Sequence, residues 1–374
     1  MKSGVSEVIE QRGRRVITGS RGDEWEVECE VLPGLEGFLA RELRRRLAGR
    51  VQGIVDSGRA SLRFRFRGPL ADLLTLRTAQ AAFLVLEFAG QRPTALLGDQ
   101  SLRRLLAAIE VVRGLHPPDA FAGFRFSAAG RDSPTFRRLA EALAEQTGLR
   151  HEPEGGELLI RVRPGGQGGW QALVRLSPRP LSTRHWRVRN LPGALNATIA
   201  AAMVELTQPR PQDRFLNLMC GSGTLIVERL LRCPAAEAVG CDDSEQALAA
   251  AQANLGAAGL GGRARLLLAN ATRTGLPASR FDAICVDPPY GNLVGSHRQN
   301  LLLYPALLRE AARLAVPGAA LIVVTHELRL LESCLRESPD WELERSVRVF
   351  QGGQRPALYL LRRGDDHPRP SPPL

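Results

Sequence analysis

The segment Phe281–Gly291, FDAICVDPPYG, restricts the fold more than any other stretch of the chain. Its run Ala283-Ile284-Cys285-Val286 carries no charge and does not alternate, as expected of a strand covered on both faces of a parallel sheet. Asp287 follows at the carboxyl end of that strand, the place where open α/β sheets hold their ligands. Pro288 and Pro289 fix the backbone and offer no N–H, so the Pro288 carbonyl is held beside the Asp287 carboxylate. Tyr290 adds a flat ring. Two fixed acceptors and an aromatic face suit a planar base that carries an exocyclic amino group. The same four residues would also make an ordinary proline-stiffened turn, so their surroundings must decide.

Those surroundings begin at Leu191, where strands and helices start to alternate. Strands are expected at Arg214–Met219, Glu237–Cys241, Arg265–Asn270, Phe281–Val286 and Ala319–Thr325, with helices among them. The pattern is that of a doubly wound parallel sheet, closed by a hairpin of Trp341–Phe350 and Ala357–Arg362. In FLNLMCGSGTLIVE, Gly221 and Gly223 let the backbone pass close to a ligand at a helix N-terminus that opens with Thr224. The spacing is not that of the dinucleotide GxGxxG. Asp242 ends the second strand, where a carboxylate accepts both hydroxyls of a ribose. Asn270 ends the third, where an amide reaches an adenine edge, and Asp287 ends the fourth. With Asn217 on the first strand, four polar groups near four strand ends line one crevice. Met219, Asp243 and Ala271 flank them.

The chain has 374 residues, enough for two or three domains, and a formal charge of +11. Residues 1–192 hold 31 Lys+Arg against 21 Asp+Glu, so nearly all of the excess lies in the first half. An arginine-favouring composition explains why Lys2 is the only lysine, but not that asymmetry. An anionic partner on the first half is expected, with nucleic acid in the lead. The longest apolar stretch, around Leu314–Thr325, is interrupted by Pro317 and Gly318 and is too short to span a membrane. No apolar secretory leader is read at the N-terminus, and the six cysteines show no CxxC pair. Buried thiols in a reducing cytoplasm, without disulfides or a bound metal, are expected.

Within the first half, residues 1–24 read as a disordered tail and 25–95 as a small α+β module. Its strand at Ala60–Phe66 and the next residue set Arg63, Arg65 and Arg67 against Leu62, Phe64 and Phe66. Residues 96–190 form a second module. Its helix starts at Ser133-Pro134, buries Phe136, Leu139, Ala140 and Leu143, and leaves Arg137 and Arg138 off that stripe. The basic stretch SPRPLSTRHWRVRN closes the module. Arg179, Arg184, Arg187 and Arg189 surround Trp186 there without helical period. It reads either as a solvated linker or as a grip on a phosphodiester backbone with one stacking ring. Residues 364–374 are proline-rich and expected to be disordered.

The motifs LMCGSGT (218–224), GCD ending at Asp242, DPPYG (287–291), GALNATIAAAM (193–203) and GSHRQNLLLYPALL (295–308) resemble those of class I S-adenosylmethionine-dependent amino-methyltransferases. Residues 25–363 as a whole resemble the THUMP-containing RNA guanine-N2 methyltransferases. That resemblance implies a ferredoxin-like module at 25–95, a THUMP-like RNA-binding module at 96–190 and a Rossmann-like methyltransferase domain at 191–363. It implies S-adenosyl-L-methionine as cofactor and RNA, in particular tRNA, as partner, in a cytoplasmic monomer without metal. Cofactor residues would be Asn217, Met219, Gly221, Gly223, Thr224, Asp242, Asp243, Asn270 and Ala271. Asp287, Pro288, Pro289 and Tyr290 would carry the catalysis, and Arg137, Arg138, Arg179, Arg184, Trp186, Arg187 and Arg189 the RNA binding. Asn217 stands where the family usually has an acid and Asn270 where an Asp is frequent, which weakens the expected charge at both positions. Methylation of an rRNA guanine, methylation of an adenine-N6 or cytosine-N4 amine of DNA, and RNA binding without turnover are the rival expectations.

Overall fold

The computed structural model describes residues 24–58, 60–289 and 297–364. Tyr290, most of the expected N-terminal tail and residues 365–374 lie outside them. The first half opens with β1 (Glu24–Glu30), α1 (Glu36–Arg46), β2 (Val51–Asp56), β3 (Ser61–Arg67) and β4 (Ala81–Phe88). It continues with α2 (Asp99–Arg113), β5 (Gly123–Ser127), α3 (Pro134–Thr147), β6 (Arg150–His151), β7 (Leu158–Pro164) and β8 (Trp170–Arg175). These strands form a single sheet in the order β2-β3-β1-β4-β8-β7-β5-β6. The seam is the antiparallel pairing of β4 with β8, from Phe83↔Arg175 to Phe88↔Trp170. Strands on both sides of residue 95 therefore share one sheet.

After β3 the chain makes a short 3-10 turn, Leu70–Thr75, bounded by extended residues at Pro69 and Leu76. β2 is an additional strand. It is an edge strand with an irregular register against β3, and its Val55 is exposed, so it lacks the alternation by which strands are recognised. The expected basic face of β3 meets acid. Cross-strand register sets Glu24 against Arg67, Glu26 against Arg65 and Glu28 against Arg63. Arg63 also donates to Glu87 at 2.8 Å. That face is a charge ladder within the sheet.

The second half contains α4 (Ala197–Leu206), β9 (Arg214–Leu218), α5 (Thr224–Arg232), β10 (Glu237–Asp242), α6 (Glu245–Ala257) and β11 (Arg265–Leu268). It ends with β12 (Phe281–Val286), α7 (His297–Leu314), β13 (Ala315–Thr325), α8 (Leu328–Glu337), β14 (Trp341–Arg348) and β15 (Ala357–Arg363). The sheet order is β11-β10-β9-β12-β13-β15-β14, parallel through β13 and antiparallel at β15 and β14. Successive residues alternate between the two covered faces. Phe215, Ala283, Cys285 and Ile322 share a core with Ile199, Leu225 and Leu255 of α4, α5 and α6. Leu216, Leu218, Ile284 and Val286 share another with Tyr304, Leu307 and Leu331 of α7 and α8. Strand order reverses direction at β9 between β10 and β12, which opens a crevice at their carboxyl ends.

The two halves are joined by buried charge. Glu228 on α5 is fully enclosed; its carboxylate accepts from Arg77 Nε at 2.6 Å and from Arg184 Nε at 2.8 Å. Arg45 of α1 donates twice to Glu205 of α4, at 2.5 and 2.8 Å. At the other end Phe350 N donates to the Pro33 carbonyl at 3.0 Å. Gly34 sits so close to the Arg348 carbonyl that a Cβ there would lie 2.0 Å from the oxygen. Among the described residues no helix is long and apolar enough to cross a membrane.

Candidate active site

The cofactor-like crevice is built by the turn from β9 into α5. Met219 takes a left-handed φ of 53°, and Gly221 and Gly223 follow at 52° and 80°. A Cβ on Gly223 would lie 3.0 Å from the Ala251 methyl, so this glycine also lets α6 pack close. A Cβ on Gly221 would meet nothing within 4 Å, because that residue faces open space. The turn is tied to the neighbouring strand: Cys220 N donates to the Cys241 carbonyl at 2.9 Å, and Gly221 N to Asp242 Oδ2 at 2.8 Å. Ser244 N donates to Asp242 Oδ1 at 3.1 Å. Both carboxylate oxygens are thereby oriented, with lone pairs left for a diol.

A cleft of about 510 Å³ runs from this turn past Gly193–Leu195 to Asp287, Pro288 and Pro289. Beyond Asp242 it meets a smaller pocket of about 310 Å³ between Met219, Asn270, Ala271 and Leu303. The apolar walls and the polar rim of that pocket suit a flat base with an amino edge. Asn270 Oδ1 accepts from Thr272 N at 2.8 Å and from Thr272 Oγ1 at 2.7 Å, which fixes its amide. Asn217 departs from expectation. It is fully buried, does not line the cleft, and its Nδ2 donates to the Leu218 and Cys285 carbonyls at 3.2 Å each. Its direction follows from strand alternation, which turns it inward with Phe215. The thiols of Cys220 and Cys285 are buried, and burial pushes both above the ordinary cysteine range, so they are core.

Asp287 emerges from β12 at the inner end of the cleft. Its Oδ1 is enclosed and has no hydrogen-bond partner among the described residues. Burial pushes its carboxyl up to about 7. The Pro-Pro turn beyond it is pinned by a residue that sequence reasoning missed: Asn300 of α7, fully buried, donates from Nδ2 to the Pro289 carbonyl at 2.8 Å. The only signal of it was its place in GSHRQNLLLYPALL, after the turn. Asp287 also lines a second pocket of about 210 Å³, which shares Gly193, Ala194 and Leu195 with the cleft and reaches Asn196, His326 and the β14–β15 turn. Asp287 borders both spaces.

A cleft for a nucleoside-like cofactor, a carboxylate at its inner end and a second pocket adjoining it describe a group-transfer site. The family model for RMKL-like methyltransferase domains matches residues 184–357, which contain every part of it. The chain is 28% identical to the tRNA (guanine(6)-N2)-methyltransferase of Thermus thermophilus over 343 residues, 90% of this chain and 98% of that protein. The crystal structure of TrmN from Thermus thermophilus superposes with a TM-score of 0.71 at 26% identity, covering 91% of this chain and 100% of that one. Residues 184–357 thus match a methyltransferase domain, and the chain as a whole is similar to tRNA guanine-N2 methyltransferases in sequence and fold. A further relative, the tRNA (guanine(6)-N(2))-methyltransferase THUMP3 of Bos taurus, is 28% identical over 185 residues; these are 46% of this chain and only 37% of that longer protein. The cofactor of this methyltransferase is S-adenosylmethionine. The residues present fit it: an open glycine turn, an oriented carboxylate and an apolar base pocket lie in order along one cleft.

The methyltransferase carries its expected RNA-contacting residues in two different settings. Arg137 and Arg138 are exposed on α3, and Arg179 and Arg189 are exposed in the connecting segment. Arg184 is not. Its side chain is only 8% exposed, and it is committed to Glu228 and to the Leu181 and Arg77 carbonyls. Trp186 is buried at 1% exposure within the shared core and cannot stack on a base. Arg187 is half-buried; its Nη2 donates to the Leu195 carbonyl and to Thr224 Oγ1, each at 2.8 Å. For these three the segment is a structural clamp between the halves. It also forms one wall of a groove of about 1,080 Å³ in which Arg46, Arg179, His185 and Arg232 take part.

Proposed function

We propose that this enzyme transfers the methyl group of S-adenosylmethionine to the exocyclic N2 of a guanosine in tRNA, and that it works in the cytoplasm. The observation that carries the reading is Asp287, which borders both the cofactor cleft and the second pocket and has an enclosed oxygen with no partner among the described residues. A buried acceptor without a donor is costly, and a substrate amino group removes that cost. The lone pair of guanine N2 is conjugated into the ring and is a poor nucleophile. Asp287 and the Pro288 carbonyl accept hydrogen bonds from the amine, turn it towards tetrahedral geometry and stabilise its developing positive charge. To Tyr290, which follows Pro289 in the sequence, we assign the stacking contact that keeps the nitrogen in line. The cofactor supplies an electrophilic methyl group. Asp242 holds the cofactor's ribose, and Met219 and Ala271 flank its base beside Asn270.

Residues 25–190 serve to hold the RNA and 191–363 to carry out the chemistry. Arg137, Arg138, Arg179 and Arg189 contact phosphates, and the target base leaves its stack to reach Asp287. The relative in Thermus thermophilus bears the name of a tRNA methyltransferase and aligns over nearly its whole length, which favours tRNA over rRNA and DNA. The test is incubation of the full chain with labelled cofactor and total RNA, followed by nucleoside analysis by mass spectrometry. N2-methylguanosine in the tRNA fraction is the expected product. Label in adenosine or cytidine, or in DNA alone, would overturn the reading.

A further inference from the structure

The smaller pocket that Asp287 shares with the cofactor cleft has a composition of its own. Its volume of about 210 Å³ is smaller than the roughly 300–1,000 Å³ common for drug-sized ligands, so it takes one ring system at most. Apart from Asp287 its polar lining is neutral: Asn196, His326, Gln351 and Gln354. Burial lowers the pKa of His326, which keeps that ring uncharged near neutral pH. A pocket of amides and a neutral imidazole does not suit a phosphate. It suits a heterocycle that offers donors and acceptors together.

The two glutamines are held in register. Gln351 N donates to the Gln354 carbonyl at 3.0 Å and Gln354 N to the Gln351 carbonyl at 2.9 Å. Gly352 and Gly353 close the turn with φ of 54° and 79°, values that favour glycine. Directly opposed residues of such a pair put their side chains on one face, and here that face borders the pocket. The turn is anchored beyond its own hairpin. Val349 N donates to the Pro356 carbonyl at 2.9 Å, and Phe350 N reaches Pro33 in the first half at 3.0 Å. Asn196 is already committed, since its Oδ1 accepts from Thr198 N and Oγ1 to cap α4.

Resting on the proposed function, we propose that Gln351 and Gln354 read the guanine whose 2-amino group meets Asp287. Guanine presents O6, N1–H and the 2-amino group along one edge. With the amine at Asp287, the remaining part of the edge needs one donor and one acceptor. A glutamine carboxamide supplies both in one plane. Gln351, the less exposed of the two, donates its Nε2–H to O6 and accepts N1–H at Oε1. Gln354 stands beside it at the pocket mouth. An adenine has a donor where guanine has O6 and is turned away.

The experiment uses the full chain and a semisynthetic tRNA with either guanine or 2,6-diaminopurine at the methylated position. Both bases carry the 2-amino group, but diaminopurine replaces O6 with an amine and lacks N1–H. Single-turnover rates are measured, with cofactor affinity as a control. The parent is expected to prefer guanine by about tenfold or more, the range for one bidentate contact. Gln351→Ala should erase most of that preference, and Gln354→Ala should reduce it. Gln351→Glu should move preference towards diaminopurine, because a carboxylate accepts from its 6-amino group and donates nothing to O6. Cofactor affinity should stay unchanged in all three. A parent that methylates both bases equally, or active variants that keep the parent preference, would overturn this assignment alone. A parent that methylates neither base would overturn the proposed function as well.

Discussion

Asn300 Nδ2 lies 2.8 Å from the Pro289 carbonyl, so α7 fixes the proline turn that follows Asp287. Neither proline has an N–H through which the turn could be tied to its own strand. Asn300→Ala should therefore loosen the turn without touching the cofactor cleft. About a tenfold or larger fall in kcat is expected, since displacement of a positioned group by a fraction of an ångström is costly. Isothermal titration should return the parent cofactor affinity. Equal losses in cofactor binding and in kcat would instead point to general unfolding of the site.

The carboxyl of Asp287, pushed up to about 7 by burial, predicts a pH dependence. The amine-accepting form is the carboxylate, so kcat/KM should rise with pH and level off above about 7. Stability should run the opposite way. The folded pKa lies above the unfolded one, so between about 4 and 7 the native state binds more protons and loses stability as pH rises. Asp287→Asn should accordingly raise Tm at pH 8 relative to the parent, with the gain fading towards pH 4. Thermal denaturation at the two pH values checks the sign.

Much of this site is legible in the sequence because its chemistry is tied to strand ends. A charge-free run followed by Asp-Pro-Pro, a glycine turn and an acid about twenty residues later can scarcely be arranged otherwise in a parallel sheet. Asn217 shows where such reading stops: strand alternation turns it inward, against the backbone of β12, and its identity alone does not reveal this. The basic segment is the clearer case. A run of arginines with no helical period looks the same whether its partner is a phosphate or a buried glutamate 44 residues away. Only the fold puts Glu228 beneath Arg184 and Trp186 inside the core. Likewise, β2 escaped because an irregular edge strand has little pattern to show.

The clamp makes its own prediction. Glu228→Ala leaves the Arg77 and Arg184 guanidiniums facing a buried gap. A loss of about 3–5 kcal/mol in unfolding free energy is expected, the range for breaking one side of a buried ion pair. Trp186→Ala should cost a similar amount, about 3–5 kcal/mol, by leaving a cavity in the shared core. Urea titration measures both. A stable Trp186→Ala protein with weakened RNA binding would return that ring to the RNA surface.

Exposed arginines should behave differently. Arg179→Ala and Arg189→Ala should leave stability nearly unchanged and weaken tRNA binding. Each should reduce the slope of log K against log salt by about one. Filter binding across a salt series gives the slope directly.

Asp242 tests the cofactor cleft. Its carboxylate holds Gly221 N and Ser244 N and, in this account, the ribose diol. Asp242→Ala should weaken S-adenosylmethionine binding by about 2–3 kcal/mol, the size of a lost charge-assisted hydrogen bond with some disorder of the turn. An unchanged affinity would mean that the ribose lies elsewhere.

In the proposed reaction Asp287 acts on the substrate amine and does more than end a strand. Single-turnover methylation of tRNA by Asp287→Ala, with enzyme and cofactor saturating, tests this directly. Saturation removes any effect on binding, so only the transfer step is observed. A drop of about a hundredfold or more is predicted, as for removal of one preorganised electrostatic contact, with cofactor and tRNA affinities close to the parent. Transfer at the parent rate would leave Asp287 as the end of a strand with no part in the reaction.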